Sequence, residues 1–247
     1  GREMTNQQFN RIIYQPTNQK TRLVFFDMDH TLLNASQYHR KSFISSLNSL
    51  FGLTELPFAI TSGYPYLEVV HKYAQAAGID DAFFNSKQAE LENLLVVNML
   101  SVLPEDLSVC VNPGAIDLLT ELSSANIALG LRTGTLREIG VPLLKRAGLL
   151  PFFPLLAFGD RVKEREQILQ NALAQAPWVY GLSADDIQLV TVGDATTDIT
   201  AGKAFGAVTI AVANGVTSIE QLAACQPDYL FENFKDTEAL FSAITAG

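Results

Sequence analysis

Two aspartates, Asp27 and Asp29, stand one residue apart at the end of the apolar run "LVFF", residues 23 to 26. Like charges at that spacing repel, and each resists losing its water, so a purely structural role would need a compensating cation close by. Other polar groups follow other apolar runs: Thr133, Gly134 and Thr135 after "IALGLR", Asp160 and Lys163 after "LLAF", Asp194 and Asp198 after "QLVTV". If these runs are strands of one parallel sheet, the groups converge beyond its carboxyl edge, where open α/β sheets bind ligands. Such a set suits phosphoryl transfer through an aspartyl phosphate. Asp27 would attack phosphorus, while Asp29 protonates the leaving oxygen and later takes a proton from water. A hard divalent cation, most simply Mg²⁺, would be held by the Asp27 carboxylate, the main-chain carbonyl of Asp29, and Asp194. It would offset the repulsion and let an anionic nucleophile approach an anionic phosphate. Thr133, with Gly134 beside it, would face a phosphoryl oxygen, and Lys163 would neutralise its charge. Asp198, in the first turn after "GDATTD", would act through a water or another side chain.

Six runs read as strands: "LVFF", "IALGL", "LLAF", "QLVTV", "VTIAV" and "DYLF". Most are apolar on both faces, as a helix-covered parallel sheet requires. Helical patterns lie between them. In "REQILQNALAQA", Ile168, Leu169, Ala172, Leu173 and Ala176 form one stripe, which Pro177 is expected to stop. "NPGAIDLLTELSS" offers Asn112 as an N-cap and Pro113 as the first helical residue. The alternation predicts a doubly wound α/β core of residues 21–33 and 110–247. Residues 34–109 show helical patterns only and are too long for one crossover, so they read as a helical insertion. The polar arm 1–20 is expected to be loosely ordered.

The chain has 247 residues, a formal charge of −9 and a pI near 4.8, which argues against a nucleic-acid or anionic-membrane surface. Cys110 and Cys225 are far apart and suggest neither a disulfide framework nor a zinc site, which suits the cytoplasm. No apolar run approaches the roughly 18–20 residues that span a bilayer. The expected partner is a small phosphorylated metabolite; oligomeric state is open.

"DMDHT", "LRTGT", "VKERE" and "GDATTD", in this order and spacing, resemble the four motifs of the haloacid dehalogenase-like hydrolase superfamily. The long helical stretch after the first motif is similar to the cap of the phosphoglycolate phosphatase and β-phosphoglucomutase branch. The resemblance implies a Rossmann-like core, a Mg²⁺ requirement, nucleophilic Asp27 and acid/base Asp29. Two departures stand out. Gly134 occupies a position where many relatives carry Asn, and Glu164 follows Lys163 where relatives often carry Pro, which leaves Arg161 and Arg165 as alternative cations. The leading function is a Mg²⁺-dependent phosphatase acting on a small phosphomonoester. A phosphosugar mutase and a phosphate-binding module without turnover are the alternatives.

Other residues carry blander readings. Alternation turns His30 away from the two acids, so it reads as structural. "YHRK" (38–41) reads as the wet face of a helix, and "TSGY" (61–64) as either a loop closing over the site or a plain turn. Trp178 and His71 read as packing or surface residues.

Overall fold

The computed structural model describes residues 20–59 and 63–246, so the expectations for the N-terminal arm and for Thr61 and Ser62 lie outside the described residues. β1 (Thr21–Asp27) is followed by four helices, α1 (Ser36–Phe51), α2 (Tyr66–Ala76), α3 (Asp81–Ser86) and α4 (Gln88–Val102). The chain then returns through α5 (Ala115–Ser124) to β2 (Ala128–Arg132). Helices and strands alternate from there: α6 (Arg137–Arg146), β3 (Leu155–Ala157), α7 (Arg165–Tyr180), β4 (Ile187–Gly193), α8 (Thr196–Ala204), β5 (Val208–Val212), α9 (Ile219–Ala224), β6 (Tyr229–Phe231) and α10 (Thr237–Thr245). Among the described residues no helix is long and apolar enough to cross a membrane.

The six strands form one parallel sheet in the order β3-β2-β1-β4-β5-β6. Burial on both faces accounts for the unbroken apolar runs. Leu23 and Phe25 pack with Ile168, Leu169 and Ala172 of α7, while Val24 and Phe26 join Leu118 and Leu122 of α5 and Leu143 of α6. The chain winds outward from β1 to β3 and then crosses back to β4, so the strand order reverses between β1 and β4. That reversal opens a crevice at the carboxyl ends of the strands, with Asp27 closing β1 and Asp194 following β4.

The four inserted helices enter and leave side by side. The Asn34 N–H donates to the Cys110 carbonyl at 2.9 Å and the Asn112 N–H to the Leu32 carbonyl at 2.8 Å. The Asn112 side chain is engaged there too, donating to the carbonyls of His30 and Thr31 at 2.7 and 2.9 Å. It therefore does not cap the following helix, which starts at Ala115 after Gly114 in a left-handed turn, φ 88°. Pro177 likewise does not end α7. It lies in the last turn, and the helix runs on to Tyr180, whose hydroxyl bonds both backbone groups of Leu129, before Gly181 closes it at φ 67°.

Gly130 stands opposite Phe25 in the β1–β2 register, and a Cβ there would lie 2.3 Å from the Phe25 ring. Both are enclosed between the sheet and α7, so the ring has little room to move. Gly130→Ala should lower the unfolding free energy by about 1–3 kcal/mol, the usual cost of overpacking a core. Urea denaturation checks this, and an unchanged midpoint would show that the ring can move aside.

Candidate active site

Asp27 is buried, and each of its oxygens is engaged. Oδ1 accepts from the Met28 N–H at 2.8 Å and from Arg165 Nη2 at 2.8 Å. The Thr31 hydroxyl lies 3.3 Å from Asp27 Oδ2 and 2.7 Å from Asp194 Oδ1, so it bridges the acids at the ends of β1 and β4. Asp198, one turn into α8, accepts through Oδ1 from Arg132 Nη1 and from Arg165 Nη2 and Nε, at 2.5, 2.7 and 3.2 Å. Oxygens of Asp27, Asp194 and Asp198 lie within 4.8 Å of one another.

This cluster is close to dry: Asp194 and Arg132 have no exposed surface. Among the described residues three carboxylates face two guanidiniums, one more negative charge than the arginines supply. Burial pushes the Asp194 carboxyl well above the usual range, and the charges of Asp27 and Asp198 push it the same way. Asp27 is raised by burial as well, with Arg165 pulling against it. Burial also opposes ionisation of Asp198, but Arg165 and Arg132 outweigh it and hold that carboxyl low. Arg132 nevertheless leaves its Nε and Nη2 without an acceptor among the described residues.

Asp29 turns away from the cluster. Its Oδ2 accepts from the hydroxyls of Thr135 and Thr133, at 2.6 and 3.1 Å, and its Oδ1 lies 3.1 Å from His39 Nε2. Burial would raise its pKa, but the His39 and Thr135 hydrogen bonds prevail and hold the carboxyl well below the usual range. The Tyr66 hydroxyl, kept protonated by burial and by the charge of Asp29, meets His39 Nδ1 at 2.7 Å. The phenol can therefore donate to Nδ1 while Nε2–H donates to Asp29.

A cavity opens between sheet edge and insertion, lined from the core by Asp27, Asp29, Gly134, Thr135 and Arg165. The insertion touches the core at two backbone points beside it. The Tyr66 N–H donates to the Gly134 carbonyl at 2.7 Å, and the Thr197 hydroxyl donates to the Gly63 carbonyl at 2.9 Å. Gly134 is required for this approach, since a Cβ there would stand 2.2 Å from the Tyr64 carbonyl oxygen.

The chain matches the family of haloacid dehalogenase-like hydrolases over residues 24–212. It belongs to that family. A phosphoglycolate phosphatase of Synechococcus elongatus is 29% identical over 54% of this chain and 58% of its own length, so that match spans little more than half of the relative. The pyrophosphatase PpaX of Bacillus pumilus is 27% identical over 89% of this chain and 96% of its own. Among solved structures, a β-phosphoglucomutase of Clostridium difficile superposes with a TM-score of 0.70 at 15% identity, covering 90% of this chain and 96% of that one. A putative β-phosphoglucomutase of Bacteroides vulgatus does so at 0.66 and 19%, covering 97% of each. These two likenesses establish the parallel-sheet fold.

In this hydrolase Asp27, Asp29, Thr133, Gly134, Asp194 and Asp198 all gather at one end of the sheet. Thr133 is buried and its hydroxyl is spent on Asp29, and it is Thr135 that reaches the cavity. The Asp29 side chain stands apart from the three-acid cluster. Lys163 does not reach the site. It is exposed and lines a separate cavity with Leu67, Glu68 and Phe84. Arg165 touches Asp27 instead, because it opens α7 on the same face as Ile168, Leu169 and Ala172, while Lys163 lies ahead of the helix and off that face. Extending the apolar stripe back by one turn identifies it. His39 is similarly placed: it is buried with Ser42, Phe43, Ser46 and Leu47, a stripe at helical spacing, and not on a wet face. His30 lines the cavity from a left-handed backbone, φ 63°.

A carboxyl raised on folding stabilises the fold below its ordinary value of 3.8 and withdraws that stability as pH rises through the raised value. Without divalent cation, Asp194→Asn should therefore raise Tm at pH 7 by roughly 2–4 °C or more, a gain that shrinks near pH 4. A lowered Tm in calorimetry would contradict the cost assigned to this charge. Gly134→Ala should separate the insertion from the core locally, and faster hydrogen exchange at the Tyr66 amide is the expected sign.

Proposed function

We propose that this hydrolase is a Mg²⁺-dependent phosphatase that cleaves a small phosphomonoester through a phosphoaspartyl intermediate on Asp27. The observation that carries the reading is the pairing of two carboxylates at one cavity. Asp27 is anchored by Arg165, and two residues on Asp29 is held by hydroxyls and an imidazole. Nucleophile and acid/base thus occupy different electrostatic settings, which separates their roles.

The buried acids fit a hard dication: they offer oxygen ligands and carry one negative charge in excess of the two arginines. Asp27 and Asp194 would hold it, with the Asp29 carbonyl as a further donor. Asp198 is committed to Arg132 and Arg165 and acts through them. When bound, Mg²⁺ supplies positive charge to the nucleophile and to a phosphoryl oxygen.

The chain's own groups account for the proton and phosphoryl movements. An Asp27 oxygen forms a bond to phosphorus as the ester P–O bond breaks, and the departing oxygen takes a proton from the acid form of Asp29. Asp29, again a carboxylate, then removes a proton from the water that attacks the phosphoaspartate. Inorganic phosphate leaves and Asp27 is restored. The hydrogen bonds that favour ionised Asp29 suit this second half, and the proton it takes from water there is the one its acid form gives to the leaving oxygen in the next turnover. Arg165 Nη2, shared between Asp27 and Asp198, keeps the nucleophile aimed and offers positive charge beside the phosphoryl position.

The test uses 4-nitrophenyl phosphate with Mg²⁺. Chelation should abolish phosphate release, and Asp27→Asn should remove it while leaving the circular dichroism spectrum unchanged. Turnover that persists in that variant would reassign the nucleophile. Asp29→Asn should slow alkyl esters by about 10²–10⁴-fold, the usual worth of a general acid, and aryl esters with good leaving groups far less. Equal losses for both would remove Asp29 from the acid role.

A further inference from the structure

Among the described residues the carboxylates and the guanidinium at the cavity all come from the core, Asp27, Asp29 and Arg165, with the His30 imidazole on the same side. The insertion, which must face whatever is attached to the phosphate, contributes the rings of Phe43, Tyr64 and Tyr66, together with Val69, Ala35 and the Ser36 hydroxyl. His39 adds an imidazole, but both its nitrogens are engaged, one by Asp29 and the other by Tyr66. Lys72 does not line the cavity; its ammonium sits 3.4 Å from the centroid of the Tyr64 ring. Lys163 lines a different cavity. Residues 60–62, just before Gly63, are Ile, Thr and Ser and carry no charge.

Arg165 is the single guanidinium at the cavity among the described residues, and two carboxylates already share it. Among the described residues a second anionic group on the substrate would therefore lose its water with no uncommitted guanidinium or ammonium to meet it, and would face the Asp29 carboxylate as well. A carbon chain or ring would meet aromatic and aliphatic surface instead, with hydroxyl groups at hand for orientation.

We infer that the leaving group is an uncharged alcohol. The site takes a phosphomonoester whose remaining part is apolar or hydroxylated, and it discriminates against esters that carry a carboxylate or a second phosphoryl group. This rests on the phosphatase reading above and narrows it. Phosphoglycolate and pyrophosphate, the substrates in the names of two relatives, each bring a second anion. So does the doubly phosphorylated species that a mutase must hold while moving a phosphoryl group between two hydroxyls of one molecule.

The experiment compares kcat/KM of the wild-type protein with Mg²⁺ for 2-hydroxyethyl phosphate, 2-phosphoglycolate and pyrophosphate, with 4-nitrophenyl phosphate as the control. The first two differ mainly in a hydroxymethyl against a carboxylate. The uncharged ester should be favoured over both anionic ones by at least about tenfold. Hydrolysis of the control together with a preference for phosphoglycolate or pyrophosphate, or no preference, would overturn the inference and leave the phosphatase reading intact. Absence of turnover on every compound, the control included, would overturn the phosphatase reading and this one with it.

Discussion

The site is organised by an imbalance of buried charge. Asp27, Asp194 and Asp198 bring oxygens within 4.8 Å of one another beside two arginines, Arg132 and Arg165, with almost no access to water. Removing one partner from such a pair ordinarily costs about 3–5 kcal/mol, because the other is left buried and unpaired. That cost applies to the ion-paired members, Asp27, Asp198, Arg132 and Arg165, whereas Asp194 is opposed by burial and by its two acidic neighbours, so neutralising it relieves the cluster. The imbalance also has a direction: among the described residues the excess is negative, so the cluster gains from added positive charge. A fold optimised for stability alone would favour a neutral or apolar cluster here.

The topology explains why these residues meet. Asp27 closes β1, Arg132 closes β2 and Asp194 follows β4, and β1 lies between β2 and β4 in the sheet. Arg165 and Asp198 open α7 and α8, so each long or acidic side chain enters from the first turn of a helix that leaves the same edge. The strands are buried on both faces and have little freedom to shift, which fixes the spacing of the charges they carry.

The helical insertion completes the site by different means. It brings His39 onto Asp29 through the buried stripe of α1, and it meets the core through backbone groups at Gly134 and Gly63. Gly134 thus exchanges a side chain that could have touched substrate for closeness between the two parts of the chain. The consequence is a roof made mostly of aromatic and aliphatic side chains over an ionic floor.

Much of this was legible in the chain. The six apolar runs, the helix-only stretch 34–109 and the acids behind the first and fourth strands follow from periodicity and from where parallel sheets bind ligands, both of which are local properties. Asp27, Asp29 and Asp194 are set by strand ends and needed no knowledge of packing. The cation beside Asp27 was different: Lys163, Arg161 and Arg165 lie within five residues, and only the rotation of α7 against the sheet decided that Arg165 faces inward. Arg132, His39 and the reason for Gly134 were likewise settled by contacts between residues distant in sequence, with Asp198, Asp29 and Tyr64 respectively. Sequence pattern reports which face of an element is buried, but the partner that a buried polar group finds there depends on how separate elements dock.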